Sequence, residues 1–212
     1  MLCYGGVMPR PRVYDPDTVL DAVETLAVEH GPAAVTVRAV ATAAGISNGA
    51  LYHSFSSRSE LLGRAWLRAG ERFLQVQDAL IEAAADPTEA VIAAAGAPGV
   101  LSDHYPASCR LVLAVRRQDI LDAEMPDELA RRLHDLQNRL VATMVRLADG
   151  LWQRRDRAAA DTITECVVDL PTAILLTRDR LASPTARRHL SAAVRAVLDI
   201  GPPPNTGKGR QP

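Results

Sequence analysis

The sequence predicts an all-α protein, and three observations predict it. Apolar residues recur at steps of three and four over most of the chain. Capping residues, prolines or glycines punctuate these runs at helical lengths. No stretch sustains the period-two alternation of a half-buried strand. Of the 212 residues, 48% are apolar and 23% charged, ordinary values for a globular chain with a proper core. The formal net charge of −1 excludes a strong overall attraction to nucleic acid or to membrane surfaces. No apolar run reaches the ~18 residues of a membrane span, and the opening MLCYGGV lacks the basic start and apolar stretch of a signal peptide. The three cysteines, Cys3, Cys109 and Cys166, have neither metal-ligand spacing nor the density of a disulfide framework. A reduced, cytoplasmic protein without metal or cofactor is expected.

The elements follow in order. Residues 1 to 13 lack periodicity and are expected to form a flexible arm, with Met8 an alternative start to Met1. Asp15 is a candidate N-cap with Pro16 at the first helical position, where a missing N–H costs nothing. Val19, Leu20, Val23, Leu26 and Ala27 then form the stripe of a first helix that stops at Gly31-Pro32. Thr36 caps a second helix to about Ala44, and Gly45 supplies the positive φ that ends a helix without strain. Ser47 caps a short third helix to about Phe55. It is too short to stand alone, because isolated helices below ~12 residues are marginal in water. Ser57 or Arg58 opens a long fourth helix, whose Leu61, Leu62, Ala65, Trp66, Ala69, Phe73, Val76 and Leu80 keep helical spacing until Asp86-Pro87. An alanine-rich fifth helix runs from Thr88 to about His104 and is expected to break at GAPG, residues 96 to 99. Pro106 starts a segment whose RLVLAV is apolar on most sides and therefore buried. Pro126 or Asp127 starts a long helix carrying Leu129, Leu133, Leu136, Leu140, Met144, Leu147 and Leu151. Ala158 to Arg180 is helical with Pro171 inside it, where a kink is expected. Pro184 to Ile200 is the last helix, and the Pro/Gly-rich residues 201 to 212 are expected to be disordered.

The stretch TVRAVATAAGISNGALYHSF, residues 36 to 55, reads as two helices joined by a tight turn. Ala41 faces the crossing point, where only a small side chain permits close approach. Gly45 makes the turn, and Val40, Ala44, Ile46 and Leu51 seal the pair against the first helix. This is a helix-turn-helix, whose second helix enters a DNA major groove. Held by its neighbours, the short helix has a polar face free to read bases. Together with Arg-Ser-Glu-Leu-Leu at 58 to 62, the stretch resembles the TetR family of bacterial transcriptional regulators from about Tyr14 to Leu62. Beyond that the chain resembles the family only in length and helicity.

The resemblance implies a DNA-binding domain over residues 14–60 and a helical ligand-binding and dimerisation domain over 61–200. It implies a regulator, a repressor, that binds a near-palindromic operator in double-stranded DNA as a homodimer through its last two helices. A small-molecule effector among helices four to eight would swing helix four and lower DNA affinity by a coupling of ~1–3 kcal/mol. Carried over residue by residue, Thr36 and Arg38 meet phosphate or a base edge. Ser47, Asn48, Gly49 and Ala50 form the leading end of the recognition helix, where N–H groups favour a phosphate and Asn48 pairs with adenine. Gly49 lets backbone approach DNA, and Ala50 touches a thymine methyl. Tyr52 and His53 contact backbone oxygens, and Arg58 stands where such proteins carry a phosphate-binding lysine. Against this, residues 1 to 60 hold four arginines (10, 12, 38, 58) and six acids (15, 17, 21, 24, 29, 60), whereas a DNA-binding face is usually basic. Affinity is then expected to lean on Arg10 and Arg12 and to depend steeply on salt.

The C-terminal region has weaker signals. His104, Tyr105, Cys109, Met144 and Asp169 are the candidate ligand contacts, although each fits a core or surface role as well. Residues 115 to 119, VRRQD, read as surface ion pairs. With aromatics at 4%, an aliphatic pocket and an apolar effector are expected. No catalytic motif is present, and His104, Arg116 and Asp169 are the only loose candidates for an enzyme. The rival to a regulator is an all-helical small-molecule carrier that retains a weak helix-turn-helix, favoured only by the acidic N-terminal balance.

Overall fold

The computed structural model describes residues 15–115, 120 and 125–204. The expected arm with Cys3, Arg10 and Arg12, the charged residues 116–119 with Arg116, and the tail beyond Pro204 lie outside them. Among the described residues the chain forms nine helices and no strand. They are α1 (Pro16–His30), α2 (Val37–Ala44), α3 (Asn48–Ser54), α4 (Arg58–Glu82), α5 (Pro87–His104), α6 (Pro106–Ala114), α7 (Asp127–Trp152), α8 and α9 (Pro184–Ile200). α8 begins as Arg157–Thr164 and continues through two π-helical stretches, Glu165–Asp169 and Thr172–Leu176.

The caps are where the sequence places them. Asp15 Oδ1 accepts from Asp17 N–H, Thr36 Oγ1 from Ala39 N–H and Ser47 Oγ from Ala50 N–H. Each satisfies one of the donors that a helix start leaves without a partner. Gly45 closes α2 at φ +67°, a left-handed value that glycine adopts without strain.

α4 is the axis of the molecule. Its first turns join the N-terminal core, where Leu61, Leu62 and Ala65 pack with Val19, Val23, Val40, Leu51 and Phe55. Leu111 and Val115 of α6 and its end seal this core from the C-terminal side, so a cut at residue 60 runs through a shared core. Further along, α4 packs on α7 through Leu67, Leu74, Leu129, Leu133 and Leu136. Gly63 and Gly70 make that approach possible. A Cβ on Gly63 would stand 2.9 Å from Leu129 Cδ2, and one on Gly70 would overlap Leu136. A third core joins α5, α8 and α9 through Val91, Ala94, Ile163, Cys166, Leu190 and Val194.

One expectation fails at a proline. α5 does not break at residues 96 to 99 but runs through with Pro98 inside it. Pro98 has no N–H for the Ala94 carbonyl, and the buried Gln77 Nε2 of α4 donates to that carbonyl instead, at 3.5 Å. A tertiary donor thus replaces the lost helical one. At Pro171 the helix widens into π turns: Leu170 N–H donates to Glu165 O and Thr177 N–H to Thr172 O. The wider turns accommodate the missing N–H, and α8 ends at Leu176 rather than near Arg180.

Candidate nucleic-acid interface and ligand cavity

α3 is held from behind and open in front. Leu51 is fully buried and Phe55 nearly so, anchoring the helix on the N-terminal core. On the other side Asn48, Gly49, Tyr52 and His53 are exposed, Tyr52 by 61%. Thr36, Arg38 and Ser47 are also exposed, and Ala50 is half-buried. Arg58 differs from the rest. Its guanidinium turns back, with Nε donating to Val35 O at 2.8 Å and Nη2 to Pro32 O at 2.6 Å, so it braces the 3-10 turn Pro32–Ala34 ahead of α2.

The junction between α3 and α4 is set by Glu60. Ser57 Oγ accepts from Glu60 N–H at 3.0 Å, and Glu60 Oε2 accepts from both the N–H and the hydroxyl of Ser56 at 2.7 Å. This reciprocal arrangement resembles a capping box. Burial pushes the Glu60 carboxyl up, but the hydrogen bonds from Ser56 and Arg64 outweigh it and leave the carboxyl below its ordinary value.

Three of the four acids of α1 are paired with a residue beyond the helix-turn-helix. Arg68 of α4 donates to Asp17, Asp21 and the nearly inaccessible Glu24 at 3.0, 2.7 and 2.8 Å. Ser108 of α6 donates to Glu24 Oε2 at 2.7 Å, Arg72 donates to Ser108 Oγ at 2.9 Å, and the Arg72 guanidinium lies 4.5 Å from the Tyr105 ring centre. One buried polar hub therefore ties α1 to α4 and α6.

Between α4, α5, α6, α7 and α8 lies a cavity of about 240 Å³. Trp66, Gly70, Phe73 and Gln77 of α4 form one wall, with Leu136 and Leu140 of α7 and Val167 and Pro171 of α8 opposite. Among the described residues no charged side chain lines it. Trp66 and Phe73 make it more aromatic than expected. None of the five candidate ligand residues is in the lining. Cys109 and Met144 are buried in the core around α5 and α8, Cys109 Sγ lying 3.4 Å from Pro98 O. His104, Tyr105 and Asp169 are exposed. The lining includes a glycine and a glutamine, Gly70 and Gln77, on the apolar stripe of α4. Burial pushes the Cys109 and Cys166 thiols up to about 11 and about 12, which leaves both inert near neutrality.

Residues 19–65 match the family described as bacterial regulatory proteins, tetR family. None of the curated proteins matches the chain. Among solved structures, PfmR, a TetR family transcriptional regulator from Thermus thermophilus, is 20% identical, with 87% of this chain and 95% of that one covered and a TM-score of 0.66. A transcriptional regulator from Rhodococcus sp. Rha1 is 20% identical over 88% and 95% of the two chains, with a TM-score of 0.65. FadR from Bacillus subtilis, in complex with stearoyl-CoA, is 16% identical over 87% and 97%, with a TM-score of 0.64. At such identities the likeness is one of fold. The match to the tetR family lies within the N-terminal helices, and the chain as a whole has the fold of TetR-family transcriptional regulators of known structure.

Proposed function

We propose that the protein is a homodimeric repressor that binds a near-palindromic operator and releases it when a small apolar effector enters the cavity. The observation that carries this reading is the two-sided α3: Leu51 locked at 0% exposure beside Tyr52 at 61%. A helix this short keeps an aromatic in solvent at no benefit to its own packing, which suits a groove-facing role. In this reading Thr36, Arg38, Ser47 and Asn48 to Ala50 meet phosphate or base edges, and Tyr52 and His53 meet the DNA backbone. Arg58 serves by bracing the start of α2. Acting on chromosomal DNA makes the protein cytoplasmic.

Dimerisation falls to α8 and α9. α9 buries Ala186, Leu190, Val194 and Leu198 within its own subunit, while Ala192, Ala196 and Ile200 stay exposed and Ala193 and Val197 half-exposed. Such small and apolar side chains suit close packing against a second helix pair, and a two-fold arrangement would present two recognition helices to one operator. Coupling runs through α4, because the helix that carries Trp66, Phe73 and Gln77 of the cavity also carries Leu61, Leu62 and Ala65 of the N-terminal core. Stearoyl-CoA is not carried over from FadR: about 240 Å³ lies below the ~300–1,000 Å³ of pockets for drug-sized ligands. Arg68 offsets part of the acidic balance that favoured the carrier alternative.

Selection of bound sequences from random double-stranded DNA, at low and moderate salt, tests the reading. Enrichment of a near-palindrome by the wild type, and none by a chain with Arg38→Ala and Tyr52→Ala, is the expected result. No enrichment by the wild type at either salt would refute it.

A further inference from the structure

We propose that the base pairs under the recognition helix are A·T: in each half-site Asn48 reads an adenine and Ala50 the methyl group of a thymine, and α3 reads no guanine. The proposal rests on the operator-binding reading. In helix-turn-helix proteins the residues at the start of the recognition helix meet base edges. Here these are Asn48, Gly49 and Ala50, the first turn of α3.

Their chemistry selects the bases. Asn48 is exposed, and its amide carries a donor and an acceptor side by side. That pattern matches the N7 acceptor and N6 donor that adenine shows in the major groove. Guanine shows two acceptors there, N7 and O6, and is read by arginine or lysine. Ala50 is half-buried and offers only a methyl, which suits the methyl of thymine. Ser47 Oγ already accepts from Ala50 N–H. Tyr52 and His53 stand one turn further on and go to the DNA backbone.

The guanidinium groups around α3 are committed elsewhere. α3 itself carries neither arginine nor lysine. Arg58 donates to Val35 O and Pro32 O, and Arg64 donates to Glu60 Oε1 while lying over the Phe55 ring. Arg68 donates to the acids of α1. Arg38 is exposed, but it belongs to α2.

Gly49 supplies an independent observation. Glycine weakens a helix relative to alanine, and no described residue calls for it here. Its φ is not positive, and a Cβ at this position would meet nothing within 4 Å. The missing side chain leaves room for something outside the chain. A duplex can then approach the backbone between Asn48 and Ala50 closely enough for two short side chains to reach base edges.

Sequences are selected from random double-stranded DNA by the full chain and by its Asn48→Arg variant, with circular dichroism checking that every variant folds. The wild type should enrich a near-palindrome, and Asn48→Arg should turn one adenine per half-site into guanine. On the enriched duplex, 7-deazaadenine, which lacks N7, and uracil, which lacks the thymine methyl, are then placed one position at a time, and binding is read by fluorescence anisotropy. One of each per half-site should weaken wild-type binding about threefold to tenfold, the scale of one hydrogen bond or one buried methyl. The 7-deazaadenine penalty should vanish in Asn48→Ala, and the uracil penalty in Ala50→Gly. Gly49→Ala should raise the urea midpoint yet weaken operator binding. An enriched site in which Asn48→Arg changes no base, or in which the base it changes is already guanine, would overturn the proposal while leaving the operator reading intact. So would analogue penalties that survive in both variants, or a Gly49→Ala chain that binds as well as wild type. No enrichment by the wild type would remove the operator reading itself, and the proposal with it.

Discussion

At the scale of single residues, function and stability separate cleanly. Tyr52, exposed by 61%, contributes little to the core. Tyr52→Ala should keep unfolding free energy within about 0.5 kcal/mol of wild type, as surface substitutions do, while operator binding drops at least tenfold in a mobility-shift titration. Glu60 shows the converse. Its carboxyl lies below the ordinary value because Ser56 and Arg64 bond its charged form. In the acid range between its folded and unfolded pKa values the unfolded chain therefore binds more protons, and stability rises with pH. The contribution is complete above the ordinary glutamate range and lost as pH falls through the folded value. Glu60→Gln should cost about 1.5–3 kcal/mol at pH 7, the scale of hydrogen bonds to a charged group, and the difference should vanish in acid. Urea unfolding at a series of pH values reads both. The buried thiols of Cys109 and Cys166 should resist an aromatic disulfide reagent at neutral pH until a Cys3→Ser chain is denatured; rapid reaction of the native protein would contradict their burial.

At the scale of elements, the molecule is organised by what one helix does for another. The Glu24 hub joins α1 to α4 and α6 through Arg68 and Ser108. Breaking a buried charged pair by removing one partner typically costs ~3–5 kcal/mol. Glu24→Ala should fall at the lower end, because Asp17 and Asp21 still bond Arg68; the urea midpoint of the full chain checks this. α3 depends on its cap in the same way. Ser47→Ala removes the acceptor for Ala50 N–H and should cost about 1 kcal/mol. In α5 the Ala94 carbonyl, deprived of its helical donor by Pro98, takes one from α4.

At the scale of the whole molecule, a net charge of −1 and a DNA-binding role are compatible because the charge is arranged. Three acids of α1 face Arg68 rather than solvent alone, leaving Arg38 on the exposed side with the recognition helix. Operator affinity should fall linearly on a log–log plot against salt, and Arg38→Ala should lower the slope by about 1 for each phosphate that Arg38 neutralises. An unchanged slope would show that Arg38 touches no phosphate.

Some of this was settled by the sequence alone. Helix boundaries at Asp15, Thr36, Gly45 and Ser47 were legible because caps and left-handed glycines act within a few residues of themselves. The helix-turn-helix was legible for the same reason, since Ala41, Gly45 and Leu51 lie within one short stretch. What the tertiary structure decided depends on atoms far apart in the chain. The replacement donor for the Ala94 carbonyl in α5 comes from Gln77, seventeen residues before it. The pairing of the α1 acids rests on Arg68, forty-four or more residues beyond them. The cavity assembles from five helices, and its lining differs from His104, Tyr105, Cys109, Met144 and Asp169 because a helical stripe tells which residues face inward but not which of them meet a gap. Local hydrogen bonds and periodicity are written along the chain; long-range polar partners and the voids between helices come into being only when the helices pack.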